Sequence, residues 1–194
     1  MGTSGCGKTT LLFNLILKEW VIPFLHLYMF TKSLEQNAYQ NLKKTYEKLS
    51  FQENTEIAHF YSNCEDLISV DECEPNSPVV FIDCVNEQQQ LIIKDYFSRG
   101  RHKNISCVYL TQSYIKVDRQ LIRENVNFLC VFKQKLKYTR DIYIEYVGSD
   151  FTFEEFKAFC DSCWREDYGF MTTDTTKKLN NVQYRKMFAE EITA

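Results

Sequence analysis

Gly2-Thr-Ser-Gly-Cys-Gly7-Lys8-Thr9 has the order G-x-x-x-x-G-K-[ST]. The order carries a chemistry. Glycines let a backbone wrap closely, so that its N–H groups point at phosphate oxygens. Lys8 then reaches the β and γ phosphates, and the Thr9 hydroxyl binds Mg²⁺. A helix starting at Lys8 adds its positive end. The apolar stretch Leu11 to Leu17 follows directly, as such a loop requires.

A second acid fits the same chemistry. Val79-Val-Phe-Ile-Asp83 reads as a buried strand that delivers one carboxylate to its C-terminal end. Asp83 there holds the Mg²⁺ shell opposite Thr9. Water activation calls for a second carboxylate beside the first. The neighbours of Asp83 are Ile82 and Cys84, and Glu87, one helical turn on, is the nearest substitute. Gln112 closes the next strand, where it can orient a water and sense the γ phosphate. Arg101 and Arg123, with Arg99 third, are the guanidiniums that could reach a neighbouring subunit's nucleotide. Each has a plain alternative as a solvated surface residue. His102 reads as structural.

Positioning these groups needs alternating strands and helices. Helices are expected over Thr9 to Glu19, Leu34 to Leu49, Asn86 to Ser98, Val117 to Asn125, Ile142 to Val147 and Phe153 to Cys163. Strands are expected over Phe24 to Phe30, Glu56 to Tyr61, Pro78 to Asp83, Ile105 to Thr111, Asn127 to Phe132 and Tyr168 to Thr172. Alternation of this kind means an α/β protein with a mostly parallel sheet.

The composition agrees with an ordered domain. The chain has 194 residues, 44% hydrophobic and 25% charged, the length of a single domain. Lys+Arg total 23 against Asp+Glu 26, a net charge of −3, which excludes a histone-like binder. Lys133, Lys135, Lys137 and Arg140 form a local basic stretch, either a DNA-phosphate contact or a solvated edge. Eight cysteines without scaffold spacing suit a reducing compartment. Cys160 and Cys163 read as helix packing rather than half of a zinc site. No run is long enough to span a bilayer. The Asn-Lys-x-Asp of guanine-specific GTPases does not occur.

Further segments carry a resemblance. Gly2 to Thr9, Thr31-Lys-Ser-Leu-Glu, Val79 to Asp83, Tyr96-Phe-Ser-Arg-Gly-Arg-His102, Leu110-Thr-Gln112 and Leu121-Ile-Arg-Glu-Asn125 stand in the order seen in poxvirus-type genome-packaging ATPases of the FtsK/HerA superfamily. The chain is most similar in flavour to those of Polinton/Maverick elements and related viruses. The resemblance runs from residue 2 to about Tyr184. It implies a P-loop NTPase of the additional-strand (RecA/FtsK-like) type. It implies an ATPase that forms a homo-oligomeric ring and drives double-stranded DNA into capsids. Its partners would be DNA and capsid portal or vertex proteins. It would work in the host nucleus or cytoplasm, or with the virion. ATP and Mg²⁺ would be held by Gly2, Ser4, Gly5, Cys6, Gly7, Lys8, Thr9, Thr10 and Asp83, with Gln112 as sensor and an arginine acting in trans.

The family usually carries two adjacent acids where this chain has Asp83 alone. A related HerA-like helicase, a conjugation ATPase and a non-hydrolysing copy share the same motifs. Residues 1–194 are expected to form one ATPase domain, with about 150–194 as a family-specific extension. The strand that should feed the phosphate loop does not precede Met1. The expectation is therefore a truncated chain, poorly soluble or nucleotide-free alone, with an in-frame apolar strand encoded upstream.

Overall fold

Four short apolar runs become parallel strands. β1 (Leu27–Thr31), β2 (Ala58–Tyr61), β3 (Pro78–Ile82) and β4 (Ser106–Leu110) form a sheet in the order β2-β1-β3-β4. All three pairings are parallel. Every residue of β1 and β3 is buried, as expected for strands covered on both faces. Pro78 opens β3, a position where a missing N–H is tolerated. The computed structural model describes residues 1–17, 26–63, 66–84, 87–120, 123–147, 151–177, 183–188 and 190–191.

The chain divides into two compact units. One comprises residues 11–111 and 117–125 and contains the parallel sheet. α1 (Lys8–Leu17) and α2 (Asn37–Glu53) cover one sheet face. There Leu12, Ile16, Tyr39, Leu42 and Tyr46 meet Leu27, Met29, Val80 and Ile82. α3 (Glu87–Arg99) takes the other face, where the Tyr96 ring lies edge-on to Phe81 at 5.2 Å. Tyr96 donates its hydroxyl to the Ile68 carbonyl at 2.8 Å, which satisfies a polar group on a buried ring. A helix-on-sheet-on-helix arrangement follows from strands that are apolar on both sides.

The other unit comprises residues 1–10, 112–116 and 126–194. Its sheet is antiparallel, in the order β5-β6-β7-β8. The strands are β5 (Phe128–Phe132), β6 (Phe170–Asp174), β7 (Tyr184–Lys186) and β8 (Glu190–Glu191). α4 (Leu136–Ile142) runs into a π turn, Tyr143–Val147. α5 (Phe153–Cys163) starts with a capping box, in which Thr152 and Glu155 each satisfy the other's backbone N–H. Cys160 and Cys163 are buried on α5 among Leu129, Val131, Phe156 and Met171.

Met1 joins this unit through its backbone. Its amine donates to the Cys130 carbonyl at 2.6 Å, and its carbonyl accepts from the Phe132 N–H at 3.0 Å. That is one parallel bridge, which sets Met1 opposite Val131. Burial holds the Met1 amine down, from 8.0 to about 6.

Two expectations are corrected. Val117 to Asn125 is not an α-helix where it is described: it is turn with one 3₁₀ turn, Arg123–Asn125, and residues 121–122 lie outside the described residues. Its backbone closes with wider bonds than a helix makes: the Arg123 N–H donates to the Asp118 carbonyl at 3.2 Å and the Glu124 N–H to the Arg119 carbonyl at 3.1 Å, each five residues back. Tyr168 is not in the last strand, which begins at Phe170 and is followed by two more. The expected helix to Glu19 and strand from Phe24 run partly outside the described residues.

Candidate functional site

The phosphate loop lies wholly in the second unit. Gly5 and Gly7 have φ of +74° and +100°, left-handed values that an L side chain rarely adopts. Gly2 is required for a different reason. A Cβ there would stand 2.5 Å from Cys6 Sγ and 2.7 Å from Phe132 Cβ. The Lys8 ammonium turns back over the loop and donates to the Gly2 and Thr3 carbonyls, both at 2.6 Å. Cys6 Sγ lies 3.7 Å from the same nitrogen. Lys8 thus ties the end of the loop to its beginning. Ser4 and Thr10 are exposed, and Thr9 is half-buried at the start of α1.

A cleft of about 300 Å³ opens on this loop, lined by Gly5, Gly7, Lys8, Thr9, Thr10 and Tyr168. Backbone N–H groups at the start of α1, one ammonium and two hydroxyls suit an anion with several oxygens. The residues present therefore fit the phosphates of a nucleoside triphosphate.

Asp83 belongs to the other unit. It leaves β3 with φ +53°, and its N–H donates to the Leu110 carbonyl at the end of β4, at 2.9 Å. Its side chain is half-exposed. Both neighbours point inward. Cys84 is 0% exposed, with its Sγ 3.8 Å from the Phe30 carbonyl, and Ile82 is 6% exposed. Glu87 opens α3, and its side chain lies outside the described residues. Gln112 is exposed, two residues beyond the end of β4.

The three arginines differ sharply. Arg99 pairs with Asp71, its Nη2 at 3.0 and 2.9 Å from the two carboxylate oxygens. Arg101 is exposed in the 3₁₀ turn Gly100–Lys103, beside the exposed His102. Arg123 is half-buried, with its Nε enclosed. In the basic stretch, Lys133, Lys135 and Lys137 are exposed, and the Arg140 guanidinium stands 4.7 Å over the Phe153 ring.

Residues 1–143 match the family described as Poxvirus A32 protein. This chain belongs to the Poxvirus A32 protein family. A comparison with curated proteins finds no match. Among solved structures, the fold is similar to that of the genome packaging NTPase B204 from Sulfolobus turreted icosahedral virus 2. In its complex with sulfate the TM-score is 0.56 at 15% identity, over 90% of this chain and 89% of that one. In its complex with ATP-gammaS the TM-score is 0.57 at 12% identity, over 95% and 92%. The DNA-packaging ATPase B204 from Sulfolobus turreted icosahedral virus gives 0.61 at 12% identity, over 90% of each chain. The expected α/β fold with a parallel sheet between helices is the one observed.

One residue at the cleft of this A32-family chain escapes a reading by motif. Tyr168 lies far along the sequence, and Tyr168 to Thr172 has the alternation of a strand. No local pattern marks it, and the Gly169 that follows shows its role only in the structure. Gly169 has no room for a side chain, since a Cβ there would stand 2.1 Å from the Cys163 carbonyl oxygen. A glycine so confined marks a tight turn.

Proposed function

We propose that this chain is an ATPase that moves double-stranded DNA to package viral or transposon genomes into capsids. The supporting observation is the Gly2–Thr9 loop, shaped by Gly5 and Gly7 and closed by Lys8, in a chain of the A32 family. On binding a triphosphate, the Lys8 ammonium exchanges the Gly2 and Thr3 carbonyls for phosphate oxygens. That exchange opens the loop and keeps the charge satisfied. On the strength of the motifs, Thr9 and Asp83 are the oxygen donors for Mg²⁺, and Gln112 the sensor. Bound Mg²⁺ would neutralise phosphate charge as it develops.

The working form is a homo-oligomeric ring in which an arginine of one subunit serves the next. Its partners are double-stranded DNA and the proteins of a capsid portal or vertex, in the infected cell or the virion. The affiliation within the family is with Polinton/Maverick elements, on the segments that carry the resemblance. The B204 relatives are named as genome packaging NTPases, and their fold match supports the same task here.

The test is calorimetry with Mg·ATP, followed by hydrolysis with and without linear duplex DNA. The expected result is ATP binding that Lys8→Ala abolishes, and hydrolysis that DNA stimulates. Equal ATP affinity in both proteins overturns the reading.

A second reading, nucleotide binding without turnover, is favoured by one observation. Neither neighbour of Asp83 presents a carboxylate, and both are buried. ATP binding with no phosphate release on DNA would select it.

A further inference from the structure

Tyr168 sits in the turn between α5 and β6, and three things about it call for a reason. Its φ is +64°, a genuine outlier for a bulky residue. The residue is 66% exposed, and its hydroxyl has no partner among the described residues. It lies against the phosphate loop: a Cβ on Gly7 would stand 3.0 Å from both Cβ and Cδ1 of Tyr168.

The turn that presents this ring is held from several sides. Gly169 donates its N–H to the Glu166 carbonyl at 3.0 Å and is wedged against the Cys163 carbonyl. The Glu166 carboxylate accepts from Lys186 at 2.6 Å. Trp164 donates its indole N–H to the Val131 carbonyl at 3.0 Å. An aromatic ring held in a strained backbone, on an anchored turn, gains little from the folded protein alone. Strain of this kind persists where the surroundings over-determine it and clusters at ligand sites.

The ligand chemistry follows from the neighbours. Gly5, Gly7, Lys8 and Thr9 supply the phosphate end of the cleft and Tyr168 a flat apolar wall. A molecule that carries oxyanions at one end and a flat ring at the other is a nucleoside triphosphate. We propose that Tyr168 is the base-binding residue of this site, stacking on the purine ring while the loop holds the phosphates. Stacking reads the π face, which every base has, so the wall favours large purines over pyrimidines without distinguishing adenine from guanine by hydrogen bonds. The tight contact with Gly7 gives the ring a second task. It fixes the wall relative to the loop, and any side chain at position 7 would push it away. The inference deepens the nucleotide reading above and rests on it.

The experiment compares Mg·ATP with magnesium tripolyphosphate, which has the phosphates and no base. Wild type, Tyr168→Ala, Tyr168→Phe and Lys8→Ala are titrated by calorimetry, with thermal melts to establish folding. Tyr168→Ala is expected to weaken ATP by about 5- to 150-fold, the range of one base–aromatic stack. It should leave tripolyphosphate binding within about twofold, and Tyr168→Phe should keep both. Lys8→Ala should lose both ligands. Unchanged ATP affinity in a folded Tyr168→Ala overturns the stacking role and leaves the nucleotide reading standing. Equal loss of ATP and tripolyphosphate also overturns it, because Tyr168 would then shape the loop through Gly7. A wild type that binds neither ligand overturns the nucleotide reading itself, and the stacking role with it.

Discussion

The backbone N–H of Asp83 donates to the Leu110 carbonyl at 2.9 Å, and this bond holds Asp83 in a left-handed conformation with φ +53° at the end of β3. The strand therefore does not simply run out. It turns its last side chain outward at a fixed place beside β4. Left-handed backbone is tolerated by Asn and Asp and costs other residues about 1–2 kcal/mol.

That geometry separates two substitutions. Asp83→Asn should fold with nearly wild-type stability, because Asn accepts the same φ. Asp83→Ala should lose about 1–2 kcal/mol. If Asp83 holds Mg²⁺ as proposed, both should lose ATP hydrolysis, since neither keeps a carboxylate there. Urea unfolding beside a phosphate-release assay checks the pair. A hydrolysing Asp83→Asn would remove Asp83 from the metal role.

The missing second acid invites repair by Cys84→Glu. The structure predicts that this fails. Cys84 is fully buried, packed against the Phe30 carbonyl, so a carboxylate there would be desolvated rather than placed beside Asp83. The expected cost is about 3 kcal/mol or more, with no gain in turnover. Ile82→Asp meets the same obstacle on the strand itself. A stable Cys84→Glu with faster hydrolysis would show that Glu reaches the surface.

How much of this was legible in the sequence depends on how local the cause is. The buried β3 and its Asp83 follow from five apolar residues and an acid, and the phosphate loop from the spacing of its glycines. Tyr168 was not legible, because what makes it a cleft residue is a contact with Gly7 from far along the chain. The inward Cys84 was hidden for a related reason. A left-handed Asp83 breaks the alternation, so the period of the strand no longer says where the next side chain points. In the same way β7 is a three-residue strand whose pairing with β6 is not written in its own pattern.

The cysteines supply a pH test. Burial pushes the Cys107 thiol up to about 12 and raises the Cys130 and Cys73 thiols in the same direction. The thiolate is the nucleophile, so these side chains stay protonated and unreactive at pH 8. Cys6 instead lines the phosphate loop, half-exposed. Iodoacetamide on the native protein should modify Cys6 well before Cys107, and Mg·ATP should slow the Cys6 reaction. Cys107 should label only as the pH nears 12 or after unfolding. Peptide mapping reads both sites. A Cys6 labelling rate unchanged by saturating Mg·ATP would place the nucleotide elsewhere.

Arg101 and Arg123 part company in the last test. Arg99 is spent on Asp71, whereas Arg101 projects from the neighbouring 3₁₀ turn with no ion-pair partner among the described residues. Its removal should therefore leave stability within about 0.5 kcal/mol, as for an ordinary surface change. Arg123 is half-buried, so Arg123→Ala should destabilise by about 0.5–3 kcal/mol through the lost packing of its stem. If Arg101 completes a neighbour's site, Arg101→Ala should bind ATP normally and hydrolyse it about 10³-fold more slowly or worse, the range for an arginine acting in trans. Activity of the wild type should then rise more steeply than linearly with protein concentration. Mixing Arg101→Ala with Lys8→Ala subunits should restore some hydrolysis, because a Lys8→Ala subunit can lend its Arg101 to an intact loop. A mixture as inactive as its parts, in rings shown to form by sedimentation, would take Arg101 out of the reaction and leave it to DNA or solvent.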